Sequence, residues 1–168
     1  MNIRVSGKNI ELAKTSSTDL DTLVSFESQS EFIGKNSVEE HLNLLNDQDC
    51  LHLTIKHVED NRLVGHIILN GVLSKNKSLE FRRIFINEKR KGFGREAIKL
   101  IKKICFDSLH YHRLWLDVHT DNSKAIRLYE SEDFRKEGTL REAVLTENGF
   151  KSIHVYSLLE HEYKSKSI

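Results

Sequence analysis

Between positions 89 and 95 the chain reads Lys89-Arg90-Lys91-Gly92-Phe93-Gly94-Arg95. Glycines let a backbone approach a ligand closely because no Cβ stands in the way. Lys89, Arg90, Lys91 and Arg95 add positive charge around the same point. Before this turn, Leu79 to Ile86 reads as a strand. After it, Ala97, Leu100, Ile101, Ile104 and Cys105 recur at i, i+3, i+4, i+7 and i+8, the spacing of an amphipathic helix. A glycine turn between strand and helix offers the unpaired N–H groups of a helix N-terminus, at the positive end of its dipole. The chemistry this pattern supports is the binding of a phosphate.

Other phosphate loops and other reactive groups fit less well. A Walker A loop needs Lys-Ser or Lys-Thr after Gly-x-x-x-x-Gly, and none is present. The dinucleotide fingerprint tolerates Ala97 in its third glycine place, but the strand-helix-strand unit lies mid-chain without a second half. There is no Gly-x-Ser-x-Gly elbow, and neither Cys50 nor Cys105 has a local nucleophile signature. Among nine histidines the only close pair is His110-x-His112, with no Cys or carboxylate at a zinc-type spacing, so no metal is expected.

The chain as a whole narrows the setting. Its 168 residues suit one domain, 1–168. The 26 basic and 25 acidic residues leave a net charge of +1, which gives no overall case for nucleic acid or a membrane surface. Any anion site must therefore be local. Two distant cysteines in apolar surroundings suit reduced thiols and a cytoplasmic setting. No apolar stretch approaches the roughly 18 residues of a membrane span, and no apolar leader follows Met1.

The elements that must position the turn can be read from periodicity. Thr18 to Phe26 reads as a helix. Ser37 and Glu40 form a capping box ahead of Val38, Leu42 and Leu45, a second helix ending near Asn46. Leu51, Leu53 and Ile55 alternate with polar residues, and the turn residues Glu59-Asp60-Asn61 lead into Leu63 to Leu69, which predicts an antiparallel hairpin. Leu114, Leu116 and Val118 mark a strand whose other face carries Trp115, Asp117 and His119. A helix from Asn122 to about Ser131 follows, with Asp121 or Asn122 as cap. Thr139 to Thr146 and Phe150 to Leu158, joined by Glu147-Asn148-Gly149, predict a last hairpin. The tail from Glu160 to Ile168 reads as frayed. Strands with interleaved helices give a mixed α/β or α+β sheet.

Two motifs together give a family resemblance. Lys89-Arg90-Lys91-Gly92-Phe93-Gly94 resembles the Gln/Arg-x-x-Gly-x-Gly/Ala loop of the GNAT superfamily of N-acetyltransferases, with Lys in the first place. The run Asn122 to Phe134, containing Tyr129, resembles that family's Asn-helix-Tyr-Gly-Phe motif, with Asp133 where the family has Gly, which predicts a different turn there. His112 to Val118 and Glu137 to Glu142 resemble the branch with ribosomal-protein alanine and spermidine acetyltransferases. The resemblance spans roughly Leu51 to Tyr163. It implies a single mixed, mostly antiparallel sheet flanked by helices, with a V-shaped split between two central strands. It also implies direct acetyl transfer from acetyl-CoA to a primary amine, without metal.

The roles carried over are specific. Lys89, Arg90, Lys91, Gly92, Phe93, Gly94 and Arg95 would hold the pyrophosphate. Backbone groups of Ile84, Phe85 and Ile86 would pair with pantetheine, with Asn122 and Lys124 nearby. Tyr129 would bind or protonate the departing sulfur, or else be a packed helix tyrosine. Glu80 would be the base, or else an edge-strand carboxylate paired with Arg82 or Arg83. Asn122 could equally be only a helix cap. The acceptor, a protein N-terminus, a polyamine or another small amine, would lie between Thr18 to Asn46 and the hairpin at Arg141, Glu142 and Asn148. There Glu27, Glu31, Glu39 and Glu40 could face a polyamine or form a solvated face. A homodimer is compatible with the resemblance, and a non-catalytic acyl-CoA-binding module is the competing reading.

Overall fold

Alternating apolar side chains build the sheet, as their spacing predicts. The computed structural model describes residues 3–29 and 35–166. The strands are β1 (Arg4–Ser6), β2 (Ile10–Lys14), β3 (Cys50–His57), β4 (Leu63–Asn70), β5 (Ser78–Ile86), β6 (Arg113–His119), β7 (Arg135–Thr146) and β8 (Gly149–Leu159). They form one sheet in the order β1-β2-β3-β4-β5-β6-β8-β7, and every neighbouring pair is antiparallel except β5–β6. β1 and β2 are additions to the predicted elements. Ile10 and Leu12 are fully buried, but five residues of β2 give too short an alternation to stand out.

The helices are α1 (Leu20–Glu27), α2 (Val38–Asn46), α3 (Phe93–Lys102), α4 (Ser123–Ser131) and α5 (Glu160–Ser165). A 3-10 turn at Ser17–Asp19 precedes α1, and a π-helical stretch, Lys103–Ser108, continues α3. The Ser37–Glu40 capping box is present as expected. α3 places Ala97, Ile98, Leu100 and Ile101 against Leu53, Ile67, Leu69 and Leu79, all buried. Each such aliphatic side chain contributes roughly 1.5–3 kcal/mol on leaving water. Of the tail read as frayed, Glu160–Ser165 form α5, while residues 167 and 168 lie outside the described residues. Tyr163 stacks on Phe106 at 4.9 Å and donates to Asp107, while the Glu160 N–H donates to the His112 carbonyl. A six-residue helix shows no periodicity of its own, and docking is what orders it.

Two irregularities shape the middle of the sheet. The β4–β5 register passes from Leu69↔Phe81 to Ile68↔Arg83, leaving Arg82 as an extra residue. Such a bulge bends a strand and switches the faces of the side chains beyond it. Leu79 and Phe81 accordingly face the α3 core, and past the bulge Ile84 and Ile86 do. Arg83 and Phe85 turn to the opposite face, where Arg83 reaches Glu27 and Phe85 stacks on Phe26 and His66. Second, β5 and β6 pair in parallel only at Ser78↔Arg113, Leu79↔Leu114 and Glu80↔Trp115. Beyond Glu80 they part, which is the V-shaped split.

Gly65, paired with Ile86, lets β4 and β5 lie this close. A Cβ there would stand 2.0 Å from the Phe85 carbonyl oxygen, a backbone atom that cannot swing away. Gly65→Ala is expected to cost about 1–3 kcal/mol, measured as a lower urea midpoint with the same m-value.

Candidate active site

The phosphate turn keeps its predicted place, and the structure separates the roles of its residues. β5 ends at Ile86 and α3 starts at Phe93. Gly92 is the N-cap with φ 79°, the left-handed region, and no side chain caps the helix. The first helical bond is Glu96 N–H to Gly92 O at 3.1 Å, so the N–H groups of the first turn remain available. Among the described residues nothing lies within 4 Å of a Cβ built on Gly92, so the backbone angle rather than crowding selects glycine. Gly94 is under less constraint, since its Cβ would rest 3.7 Å from Leu128 Cδ2. The Phe93 side chain is core, tilted against His57 at 5.8 Å, and contributes only backbone to the turn.

The cations differ as well. Lys89 and Arg90 are exposed and have no ion-pair partner among the described residues. Lys91 binds Glu88 at 2.6 Å, and Glu88 also takes Arg62 at 2.7 Å. Arg62 first, then Lys91, holds the Glu88 carboxyl down to about 2. Arg95 lies along α4, donating to Ser131 Oγ at 3.2 Å with Glu132 at 3.7 Å. Lys89 and Arg90 are thus the free charges of the turn.

Past Glu80, the β6-facing backbone edge of β5 has no strand partner among the described residues, and it runs directly to the turn. Ile84, Phe85 and Ile86 lie on this edge, so the predicted pantetheine strand and the predicted pyrophosphate turn are contiguous. On the far side of the split, α4 is capped by Asn122, whose Oδ1 accepts from Ala125 N–H at 3.2 Å. The cap reading of Asn122 is therefore satisfied. Lys124 is exposed in the first turn. Asp133 adopts φ 73°, the left-handed backbone that favours glycine, with Lys166 paired to its carboxylate. Asp is among the residues that tolerate this region.

Tyr129, on α4, is buried with its ring edge-on to Phe81 at 6.1 Å and Phe134 at 5.9 Å. Burial, then the charge of Asp117, pushes its phenol up to about 12. It stays a neutral donor at any working pH. Glu80 sits on the opposite sheet face from Leu79 and Phe81, in an open cleft of about 540 Å³ with Asp49, Asn70, Ser78 and Trp115. Arg83 is committed to Glu27, and Arg82 acts on Glu80 through its charge, with no ion pair between the two among the described residues. Burial, then Asp117, raises the Glu80 carboxyl above its ordinary value. Burial raises Asp117 itself.

Asp117 is the residue that motif reasoning missed. It acts on both Glu80 and Tyr129, and the only signal was a carboxylate on the polar side of the Leu114, Leu116 and Val118 alternation. The acceptor elements are not gathered at one place. Arg141 and Glu142 line a separate open cleft with Thr139, Leu140 and Ser152, and Asn148 is at the hairpin tip. Glu39 and Glu40 are exposed, and Glu40 closes the capping box. Glu27 is buried, and Glu31 lies outside the described residues. No helix of the described residues is long and apolar enough to cross a membrane.

A parted pair of central strands beside a glycine-capped helix is the framework of this site. The chain matches the Acetyltransferase (GNAT) family over residues 19–134 and belongs to that family. It is an N-acetyltransferase enzyme of that class. A spermidine N(1)-acetyltransferase from Vibrio cholerae serotype O1 is 29% identical over 125 residues, 67% of this chain and 72% of the relative. A prophage-derived uncharacterized N-acetyltransferase from Bacillus subtilis is 28% identical over 106 residues, 62% of this chain and 60% of the relative. Among solved structures, the spermidine/spermine N-acetyltransferase SpeG from Vibrio cholerae superposes with TM-score 0.85 at 22% identity, covering 96% of this chain and all of that one (100%). A GNAT-family acetyltransferase from Bacillus anthracis gives TM-score 0.82 at 21% identity, covering 95% and 100%. At these identities the structural likeness is one of fold.

Burial is the larger cause of the raised Glu80 carboxyl, and replacing Asp117 by Asn removes the second, the neighbouring charge, while leaving the strand in place. The Glu80 carboxyl is then expected to titrate at lower pH, followed by the ¹³C chemical shift of its side chain.

Proposed function

We propose that the protein transfers the acetyl group of acetyl-CoA directly to a primary amine, with a polyamine such as spermidine as the acceptor class. The observation that carries the donor is the unpaired edge of β5 running into the uncapped N-terminus of α3. A pantetheine arm with its amides would satisfy the strand edge as an added strand. The pyrophosphate would take the first-turn N–H groups and the charges of Lys89 and Arg90. The fit rests on the Gly92 backbone and the open space above it, both described above. Support for the acceptor class is the spermidine acetyltransferase relative, together with the Glu80 and Asp117 carboxylates, which suit a substrate bearing more than one positive charge.

In this reading Glu80 accepts the proton that the acceptor ammonium must lose before its nitrogen can attack the thioester carbon. A main-chain N–H on β5 faces the carbonyl oxygen and stabilises the negative charge that forms there. As the carbon–sulfur bond breaks, Tyr129 gives its hydroxyl proton to the thiolate, and the second proton that the attacking nitrogen sheds on becoming an amide returns the phenol to its neutral form. Glu80 works only when ionised, so activity falls as pH drops through its raised value. Asp117→Asn should carry that acid limb to lower pH. In keeping with an assembly of copies, the Vibrio spermidine N-acetyltransferase has been solved as a dodecamer. For this chain we infer homo-oligomer formation through the exposed β7–β8 hairpin, where Leu145 and Phe150 are exposed.

The testing experiment follows CoA release with a panel of spermidine, spermine, amino acids and peptides with free N-termini. Spermidine or spermine is expected to give the highest kcat/KM, and turnover on peptides alone would overturn the acceptor class. Tyr129→Phe should lower kcat while acetyl-CoA affinity stays nearly constant. Glu80→Gln should lower kcat by roughly 10²–10⁴.

A further inference from the structure

On the sheet face opposite α3 lies a polar cluster that acetyl transfer does not use. Glu27 ends α1, His41 is on α2 and His66 is on β4, and all three are fully buried at 0% exposure. One donor atom from each lies within 4.8 Å of the other two. His66 Nε2 is 2.9 Å from Glu27 Oε1, and His41 Nε2 is 3.4 Å from Glu27 Oε2. Neither nitrogen has a well-directed hydrogen bond to any described residue, and His66 Nδ1 has none either. A buried polar atom without a well-aligned partner is destabilising. Two of these atoms converge on one carboxylate.

The spacing fits an ion. Tetrahedral ligands bound at 2.0–2.1 Å stand roughly 3.3 Å from one another, and the two imidazole–carboxylate separations, 2.9 Å at Oε1 and 3.4 Å at Oε2, lie on either side of that spacing. The outer contacts fit as well. His41 Nδ1 meets His52 Nε2 at 2.9 Å, and His52 Nδ1 meets Thr15 Oγ1 at 2.8 Å, which orients the His41 ring with Nε2 toward Glu27. The Asn36 N–H donates to Glu27 Oε2 at 2.8 Å. One imidazole pair with one carboxylate suits Zn²⁺, Co²⁺ and related ions, whereas Ca²⁺ and Mg²⁺ favour oxygen ligands.

We propose that Glu27, His41 and His66 bind a divalent transition metal of the Zn²⁺ class through the Glu27 carboxylate and the two Nε2 atoms, with a further position open. The site pins α1 and α2 to β4 and is separate from the acetyl-transfer centre. Arg83 is the competing cation: it donates to Glu27 Oε1 at 2.8 Å and neutralises the carboxylate in the metal-free protein. Its side chain is 16% exposed, so it has a route outward when an ion enters.

The test titrates untagged, chelator-stripped protein with Zn²⁺ by calorimetry and with Co²⁺ by visible absorption. The expected result is one equivalent per chain, a raised Tm with Zn²⁺, and the intense absorption bands of tetrahedral Co²⁺. His41→Gln and His66→Gln should each weaken binding by more than roughly tenfold. Because either change could unfold the chain, Arg83→Gln provides a second reading. It leaves all three ligands in place, and it should bind Zn²⁺ more tightly and regain its Tm on adding the ion. Absence of Zn²⁺ binding by the folded protein would overturn the proposal. So would binding that survives both histidine changes, which would place the ion on surface histidines, and so would unchanged or weaker affinity in Arg83→Gln.

Discussion

The parting of β5 from β6 after three paired residues is the constraint on which the rest of the site depends. Backbone N–H and C=O groups in a sheet interior require partners, and beyond Glu80 the edge of β5 has none from β6. The Arg82 bulge accounts for the parting, because an extra residue bends and twists its strand just where the pairing ends. The residues of the proposed mechanism are arranged about that opening: the turn and α3 follow the end of β5, Glu80 is the last paired residue, and Tyr129 on α4 packs against Phe81 of β5.

The two faces of the sheet solve different problems. Toward α3 the packing is almost wholly apolar, and this fixes the height of the helix N-terminus relative to β5. Toward α1 and α2, His52, Thr54, His66 and Glu27 are buried polar groups. Glu27 shows how such a group is kept charged. Burial alone would raise its carboxyl, yet His41, His66, the Asn36 N–H and Arg83 together hold it well below the ordinary range. Removing one of these groups would leave the charge underpaired in the interior, which costs more than the contact itself contributes.

Much of this was legible in the residues, and the limits have physical causes. Helices α2, α3 and α4 were readable because their apolar periods and caps are local, and both the predicted β3–β4 and β7–β8 hairpins formed. The glycine turn was legible because composition and position agreed. What was not legible came from register and tertiary contact. The bulge at Arg82 leaves no mark in composition. Asp117 matters through its proximity to Glu80 and Tyr129, and Glu27, His41 and His66 come from three elements far apart in sequence. α5 is ordered by Phe106 and Asp107 rather than by its own six residues.

The bulge also bears on how this chain can be aligned with its relatives. Around position 82 a gap moved by one residue would barely change a similarity score, since Arg82 and Arg83 are the same amino acid. It would nevertheless assign every later residue of β5 to the wrong face, exchanging Arg83 and Phe85 with Ile84 and Ile86. Transfer of residue roles along this strand is therefore safe only when anchored on backbone register, with Leu69 opposite Phe81 and Ile68 opposite Arg83.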